Sequence, residues 1–296
     1  MNKYNSLDFL VIGAQKSGTS WLYHNLNQIP EFDLPPIKEL HYFDRSPVYP
    51  SSNDLSMSLF INRINQKKYF SKACRNISSK ILKLDWKAAR FYWKWYFSNY
   101  CDQWYLSLFK DFTGFTGEIT PSYSILNLED IKRMHKIVPD VKLILILRNP
   151  IERAWSNYRF RSNSKLQYER KNYSEIIEFM DSNIQTMRSS YIQTIDNYSK
   201  IFQNDQLLIC FYDAILNDPE TLLKDILKHI CRDKYISISH LNLNKVVKKS
   251  RQMVIPIEVE DYLKEKYHDQ IKELSDRYGG YCLKWYQKYY TTETSK

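Results

Sequence analysis

The sequence predicts a single α/β domain over residues 1–296, with a central parallel β-sheet flanked by helices. Three observations carry that expectation. Apolar runs of strand length recur along the chain, and each leads through a loop into a segment with helical apolar spacing, the alternation that builds a parallel sheet covered on both faces. The clearest run, Val141–Leu147 (VKLILIL), is apolar without a break, as in a strand buried on both sides. With 43% hydrophobic and 26% charged residues the chain can bury a core, yet no run approaches the roughly 18 apolar residues that a membrane-spanning helix needs.

Taken in order, Asp8–Ile12 is the first strand, and Ser20–Ile29 the helix after it. Trp21, Leu22, Leu26 and Ile29 recur at helical spacing and Pro30 ends the segment. A mostly helical insertion rich in aromatics and lysine follows, at about 55–110. Val141–Leu147 then turns through Arg148-Asn149-Pro150 into a helix starting near Ile151. The third run is Leu207–Tyr212, after which Pro219 opens a helix through Ile230, since proline suits the first helical turn. The last helix, Glu258–Tyr278, carries Val259, Tyr262, Leu263, Tyr267, Ile271 and Leu274 on one face. Gly279-Gly280 is its stop. No internal repeat or low-complexity linker interrupts this order.

Composition narrows the chemistry. Lys and Arg number 43 against 33 Asp and Glu, a net charge of +10, so an anionic partner is expected. Five cysteines, an odd number without CxxC spacing, argue against a disulfide framework or a zinc site and for reduced thiols in the cytoplasm. The apolar stretch near the N-terminus is too short for a signal-peptide core. Only six glycines occur, so those present are expected where the backbone demands them.

Two of these, Gly13 and Gly18, frame the loop Gly13-Ala14-Gln15-Lys16-Ser17-Gly18-Thr19-Ser20 between the first strand and its helix. A helix start offers free N–H groups and a positive dipole end to an anion; Lys16 adds a point charge and Ser17, Thr19 and Ser20 add hydroxyl donors. The loop departs from the usual nucleoside-triphosphate pattern, where lysine directly follows the second glycine: here Thr19 stands there and the lysine is Lys16. Those enzymes also hold magnesium with an acidic residue near a strand end. The strand Val141–Leu147 ends instead in Arg148, which repels a metal and attracts a phosphate. Arg148 and Ser156, eight residues on, can meet one phosphate from two sides. The residues thus favour a nucleotide held by arginine and lysine without a metal clamp. Two alternatives stand beside this: a nucleotide-kinase-like phosphotransferase, and a basic nucleic-acid-binding protein. The first lacks its lysine position; the second has no recognised motif, and its basic residues are widely spread.

The chain resembles the PAPS-dependent sulfotransferases, PAPS being 3′-phosphoadenosine 5′-phosphosulfate, in their bacterial type and close to the heparan-sulfate branch. KSGTSW at Lys16–Trp21 is similar to the family's 5′-phosphosulfate loop, and RNPIERAWSNY at Arg148–Tyr158 to its 3′-phosphate motif. KELHYFD at Lys38–Asp44 is similar to the segment carrying the catalytic acid. WYLSLF at Trp104–Phe109, GEITPSY at Gly117–Tyr123, the Tyr191–Phe202 segment and Leu207–Leu223 follow in the family's order. The resemblance implies a domain of the P-loop nucleotide-kinase-like kind, with PAPS as donor, PAP (the desulfonated product) as leaving group and no metal. The acceptor would be a hydroxyl or amine of a small molecule or saccharide; no nucleic-acid or membrane partner is implied, and homo-oligomerisation is left open.

The same resemblance assigns roles. Glu39 is the general base, His41 its neighbour orienting the acceptor or supporting the sulfuryl oxygens, and Lys16 the cation at the bridging oxygen. Ser17, Gly18, Thr19 and Ser20 hold the 5′-phosphate, Trp21 touches the adenine, and Arg148 and Ser156 hold the 3′-phosphate. Lys249, Ser250 and Arg251 match a late basic loop over the nucleotide. Asp44 and, from the aromatic segment where acceptor specificity varies, Trp93 are the acceptor contacts. In the bland reading His41 and Trp21 are plain core and the aromatics only pack inward, although consecutive aromatics cannot all do so. One departure is clear: Ile119 follows Glu118 where several polysaccharide sulfotransferases carry lysine, which removes a cation for an acidic sugar.

Overall fold

Strand β1 (Phe9–Gly13) pairs in parallel with β2 (Gly117–Ile119) on one side and with β3 (Lys142–Leu147) on the other, and β3 pairs in parallel with β4 (Leu207–Phe211). The structure is a computed structural model describing residues 7–51, 56–57, 59–161, 173–232, 234–245, 247 and 253–291. Both faces of the sheet are covered, which is why its strands read as unbroken apolar runs. Phe9 and Val11 of β1 and Ile144 and Ile146 of β3 enter one core, beneath α1 (Thr19–Leu26). Leu10, Ile12, Leu143, Leu145 and Leu147 enter the other, larger core. Each such side chain contributes about 1.5–3 kcal/mol by leaving water.

The strand order β2–β1–β3–β4 positions the site. The chain leaves β1 toward one side of the sheet and leaves β3 toward the other, so the loops after these adjacent strands diverge and open a crevice at their C-terminal ends. The two candidate phosphate loops are those two loops.

The crossover from β1 to β2 carries the aromatic segment, and the helical expectation holds: α2 (Phe60–Ile64), α3 (Lys67–Ile81), α4 (Trp86–Phe97) and α5 (Asp102–Ser107) fill it. Asp85 caps α4 by accepting from the Ala88 N–H. Phe91, Trp95 and Tyr96 of α4 are buried, whereas Trp86 and Trp93 are about 60% exposed, at 61% and 59%. Strand β2 was not foreseen; three residues are too few to show a pattern. Gly117 permits it, because a Cβ there would lie 2.5 Å from the Phe9 carbonyl oxygen.

The remainder is helical apart from β3 and β4. A 3-10 turn (Pro121–Ile125) and α6 (Leu128–Ile137) lead into β3. Between β3 and β4 lie α7 (Pro150–Arg161), α8 (Tyr173–Asp181), α9 (Asn183–Ser189) and α10 (Tyr191–Ser199). After β4 come α11 (Tyr212–Asn217) and α12 (Pro219–Cys231), the latter begun by proline as expected and capped by Asp218, which accepts from Thr221 N–H. Helix α13 (Ile257–Tyr278) ends at Gly279 as expected, but Gly280 starts α14 (Gly280–Tyr290) rather than closing the fold. The first helix is shorter than expected, ending three residues before Ile29. Among the described residues, no helix is long and apolar enough to cross a membrane. All five cysteines are free thiols, Cys74 and Cys101 exposed and Cys210, Cys231 and Cys282 buried.

Candidate active site

The loop after β1 turns sharply because Gly18 sits at φ 90°, a left-handed conformation in which a Cβ would lie 2.3 Å from Ile215 Cδ1. Gly18 occupies the N-cap position of α1, and its carbonyl accepts from the Trp21 and Leu22 N–H groups at 2.9 and 3.2 Å, which leaves the N–H groups of Thr19 and Ser20 at the helix start for the crevice. Lys16 also has positive φ, 72°, and its Nζ lies 4.1 Å from the centre of the Phe160 ring. Ser17 is fully buried beneath the loop, and its hydroxyl has no hydrogen-bond partner.

Arg148 enters from the end of β3. It donates to the Lys16 carbonyl at 3.2 Å, pairs with Glu152 at 3.5 Å and lies over the Tyr212 ring at 4.3 Å. Its Nε is buried without an acceptor. Asn149, beside it, starts α7 by accepting from the N–H groups of Ile151 and Glu152, leaving its Nδ2 buried and unpaired. Burial lowers the Arg159 guanidinium from its ordinary value, and the Arg148 charge lowers it further. Two guanidiniums held this near each other repel, and an anion between them relieves the repulsion.

These elements enclose a cavity of about 400 Å³, ample for a nucleotide. The expected residues Lys16, Gly18, Thr19, Ser20, Trp21, Glu39, Arg148 and Ser156 all line it. Ser17 lies under the floor rather than at the surface. Trp93 is not among the lining residues; it stands on the exposed side of α4 with its ring 4.6 Å from that of Phe97. Ser250 and Arg251, like Lys249, lie outside the described residues. Sequence reasoning missed Lys38, Phe160, Lys245 and the apolar wall of Tyr212 and Ile215. Lys245, four residues before the expected basic loop, lines the cavity. The rim there is tied to α1 by the Trp21 indole N–H, which donates to the Leu243 carbonyl at 2.9 Å.

At the other end of the cavity stands a short chain of charges. Lys38 Nζ lies 3.0 Å from Glu39 Oε1, His41 Nε2 lies 3.5 Å from Glu39 Oε2, and His41 Nδ1 lies 2.8 Å from Asp44 Oδ2. Glu39 lines the cavity, and His41 and the fully buried Asp44 stand behind it. Burial alone would raise the Glu39 carboxyl, but the hydrogen bond from His41 and the Lys38 charge outweigh it and hold it at about 2. Burial likewise opposes charging of His41, yet Asp44 and Glu39 raise it to about 10, so the ring is an imidazolium at neutral pH. Below this chain, Glu118 of β2 is buried to 1% exposure, and burial raises its carboxyl to about 8. The Tyr42 N–H donates to the Tyr123 hydroxyl oxygen at 2.9 Å, fixing the segment after Glu39 against the turn that follows β2.

The donor set fits a nucleotide carrying two anionic groups. A helix start with a left-handed glycine, a loop lysine, the Thr19 and Ser20 side chains and an arginine with an unused N–H all line one cavity, and their chemistry is that of anion binding.

Comparison with known proteins places this arrangement. The sulfotransferase domain family matches residues 6–255. A membrane-associated sulfotransferase, kil1, of Dictyostelium discoideum is 32% identical over 192 residues, covering 63% of this chain and 29% of that protein. The mouse heparan sulfate glucosamine 3-O-sulfotransferase 6 is 30% identical over 109 residues, covering 35% of this chain and 31% of that protein. The chain therefore spans less than a third of the length of either curated relative. Among solved structures, a sulfotransferase from Alicyclobacillus acidocaldarius superposes with a TM-score of 0.57 at 20% identity, over 92% of this chain and 95% of that one. The sulfotransferase domain of the Synechococcus PCC 7002 olefin synthase superposes at 0.51 with 14% identity, over 88% of this chain and 96% of that one. These two share the fold. With the family match extending across most of the sequence and both anion loops, the chain belongs to the sulfotransferase family.

Proposed function

We propose that the protein is a PAPS-dependent sulfotransferase acting on a hydroxyl or amine of a small-molecule or saccharide acceptor. The observation that carries this reading is one cavity lined by the Lys16–Ser20 loop, by Arg148 and Ser156, and by Glu39. PAPS supplies a sulfuryl group on a phosphate leaving group, and PAP departs. Thr19 and Ser20 with the first-turn N–H groups hold the 5′-phosphate; Arg148 and Ser156 hold the 3′-phosphate; Trp21, Tyr212 and Ile215 give the base apolar walls. Lys16 neutralises the charge that develops on the bridging oxygen, the electrostatic contribution that usually dominates such transfers. Glu39 accepts the acceptor's proton as the acceptor oxygen or nitrogen bonds to sulfur and the bond from sulfur to the bridging oxygen breaks. His41, held by Asp44, fixes the Glu39 carboxylate. The acceptor enters from the Glu39 side. We take residues 1–296 as one domain with the aromatic insertion at about 55–110, and place it in the cytoplasm on the strength of its free thiols.

Transfer of labelled sulfate from PAPS across a panel of hydroxylated and amino acceptors tests the activity. Glu39→Gln is expected to bind PAP as the wild type does, by calorimetry, and to lose transfer by at least about 10²-fold. Full transfer in Glu39→Gln removes Glu39 as the base. Turnover with ATP in place of PAPS, dependent on magnesium, would favour a phosphotransferase.

A further inference from the structure

Lys38 belongs to neither phosphate loop, yet its ammonium touches both halves of the site. Nζ donates to Glu39 Oε1 at 3.0 Å, to Thr19 Oγ1 at 3.3 Å and to Ser20 Oγ at 3.5 Å. The two hydroxyls stand on the first turn of α1. The side chain is 17% exposed, so its charge is only weakly screened by solvent. A single cation thus spans from the turn that faces the 5′-phosphate to the carboxylate that faces the acceptor.

The contacts on its two sides are unequal. Toward Glu39 the ammonium makes a charge-assisted bond; toward α1 it meets two neutral hydroxyls at long range. An anion arriving at Thr19 and Ser20 replaces the weak side by a second charge-assisted bond, about twice as strong as a neutral one. The ammonium is then shared, and its hold on Glu39 slackens. Among the described residues, the charged groups facing Glu39 include Lys38 on one side, His41 on the other with Asp44 behind it, and at longer range Arg188 of α9. Of these only Lys38 also reaches the helix turn.

We propose that Lys38 is a donor-sensing positioning residue, which links filling of the 5′-phosphate turn to release of the Glu39 carboxylate for its work on the acceptor. The proposal rests on the donor and base assignments above. Its physical direction is fixed. Weaker attraction from the cation and added repulsion from the bound anion both disfavour the charged carboxylate, so Glu39 becomes a stronger base when the donor site is filled. With the donor site empty, Glu39 is held as an inert partner of two cations, its carboxyl depressed to about 2.

The test uses PAP as the probe and reads the carboxyl directly. Carbon-13 labelling of glutamate, with the Glu39 resonance identified by its loss in Glu39→Gln, gives its titration with and without PAP. In the wild type, PAP is expected to raise the Glu39 midpoint by about one pH unit or more. In Lys38→Met the midpoint is already raised without PAP, the further shift on adding PAP is at most about a third of the wild-type shift, and PAP affinity falls by about tenfold. Lys38→Arg keeps the charge and part of the shift, and guards against a variant that merely folds poorly. A Glu39 midpoint unmoved by PAP in the wild type overturns the proposal. So does a Lys38→Met protein that loses PAP affinity but keeps the full shift, since that is the mark of a purely structural lysine. The readout separates failures: if Glu39→Gln transfers at full rate, the base assignment fails while the coupling is still measured.

Discussion

The crevice at the strand ends and the aromatic helices α2–α5 are both rich in groups that could hold a ligand, and they treat those groups differently. Around the crevice, Arg148 Nε in its wall and Ser17 Oγ and Asn149 Nδ2 beneath it are buried with no hydrogen-bond partner among the described residues. In the helices several polar tips are turned on one another, although the Tyr105 hydroxyl of α5 is buried without a hydrogen bond among the described residues. Tyr69 and Tyr100 share a hydrogen bond at 2.9 Å, Trp104 Nε1 donates to the Lys94 carbonyl at 2.8 Å, and Asn76 donates to the Tyr96 hydroxyl at 2.7 Å. The fully buried Arg63 donates to the carbonyls of Met57 and Ser98 and lies 3.5 Å from the centre of the Tyr100 ring. A buried polar group left unpaired costs about 1–3 kcal/mol. A fold keeps such groups where something else completes them, and pairs them internally where the task is to hold shape.

Substitutions can break this contrast. The largest effect is expected in the scaffold. Phe91 is 2% exposed, with its ring stacked 6.1 Å from Trp95 and edge-on to Tyr92 and Phe112. Phe91→Ala should cost about 3–5 kcal/mol of stability in denaturant unfolding, while PAP affinity of the folded fraction stays as it was. A loss of PAP affinity without loss of stability would make α4 part of the site. Next comes Arg148→Ala, expected to weaken PAP about 10²-fold by calorimetry with little change in unfolding. Adenosine 5′-phosphosulfate, which lacks the 3′-phosphate, should lose much less, and equal losses would contradict the division into two phosphate sites. The smallest effect is expected for Trp93→Ala, within about 0.5 kcal/mol in stability and without change in PAP affinity. Should it alone raise the KM for an acceptor, the exposed face of α4 is where the acceptor rests.

The parts of this arrangement that were legible are those carried by local sequence. The runs of β1, β3 and β4 announce themselves because a strand covered on both faces has no polar side to show. Gly18 was marked by the rarity of glycine and proved to need its left-handed backbone. Glu39, His41 and Asp44 were each legible in one short segment, and their mutual contact, with Asp44 buried behind His41, is what the structure adds. What stayed hidden depends on distance along the chain. Lys38 stands in the sequence only as the first residue of KELHYFD, and folding brings its ammonium to Thr19 and Ser20, 19 and 18 residues earlier. The Trp21 bond to Leu243 spans 222 residues. Tyr212 and Ile215 were read as the end of a strand and the residues after it, and became a cavity wall because α11 follows β4 without a gap. Strand β2 is too short to carry a pattern of its own and exists because β1 offers it an open edge.

Glu118 has a bearing on how the cavity attracts its ligand. Ionised, it would add a third carboxylate behind Glu39 and Asp44. Raised to about 8 by its burial, it is mostly neutral at pH 7. The cluster around Glu39 then sums to zero, with Lys38 and the His41 imidazolium set against Glu39 and Asp44. Lys16, Lys245 and Arg148, the last partly offset by Glu152, then face no third carboxylate, and the cavity keeps a cationic mouth even though acids stand at its other end.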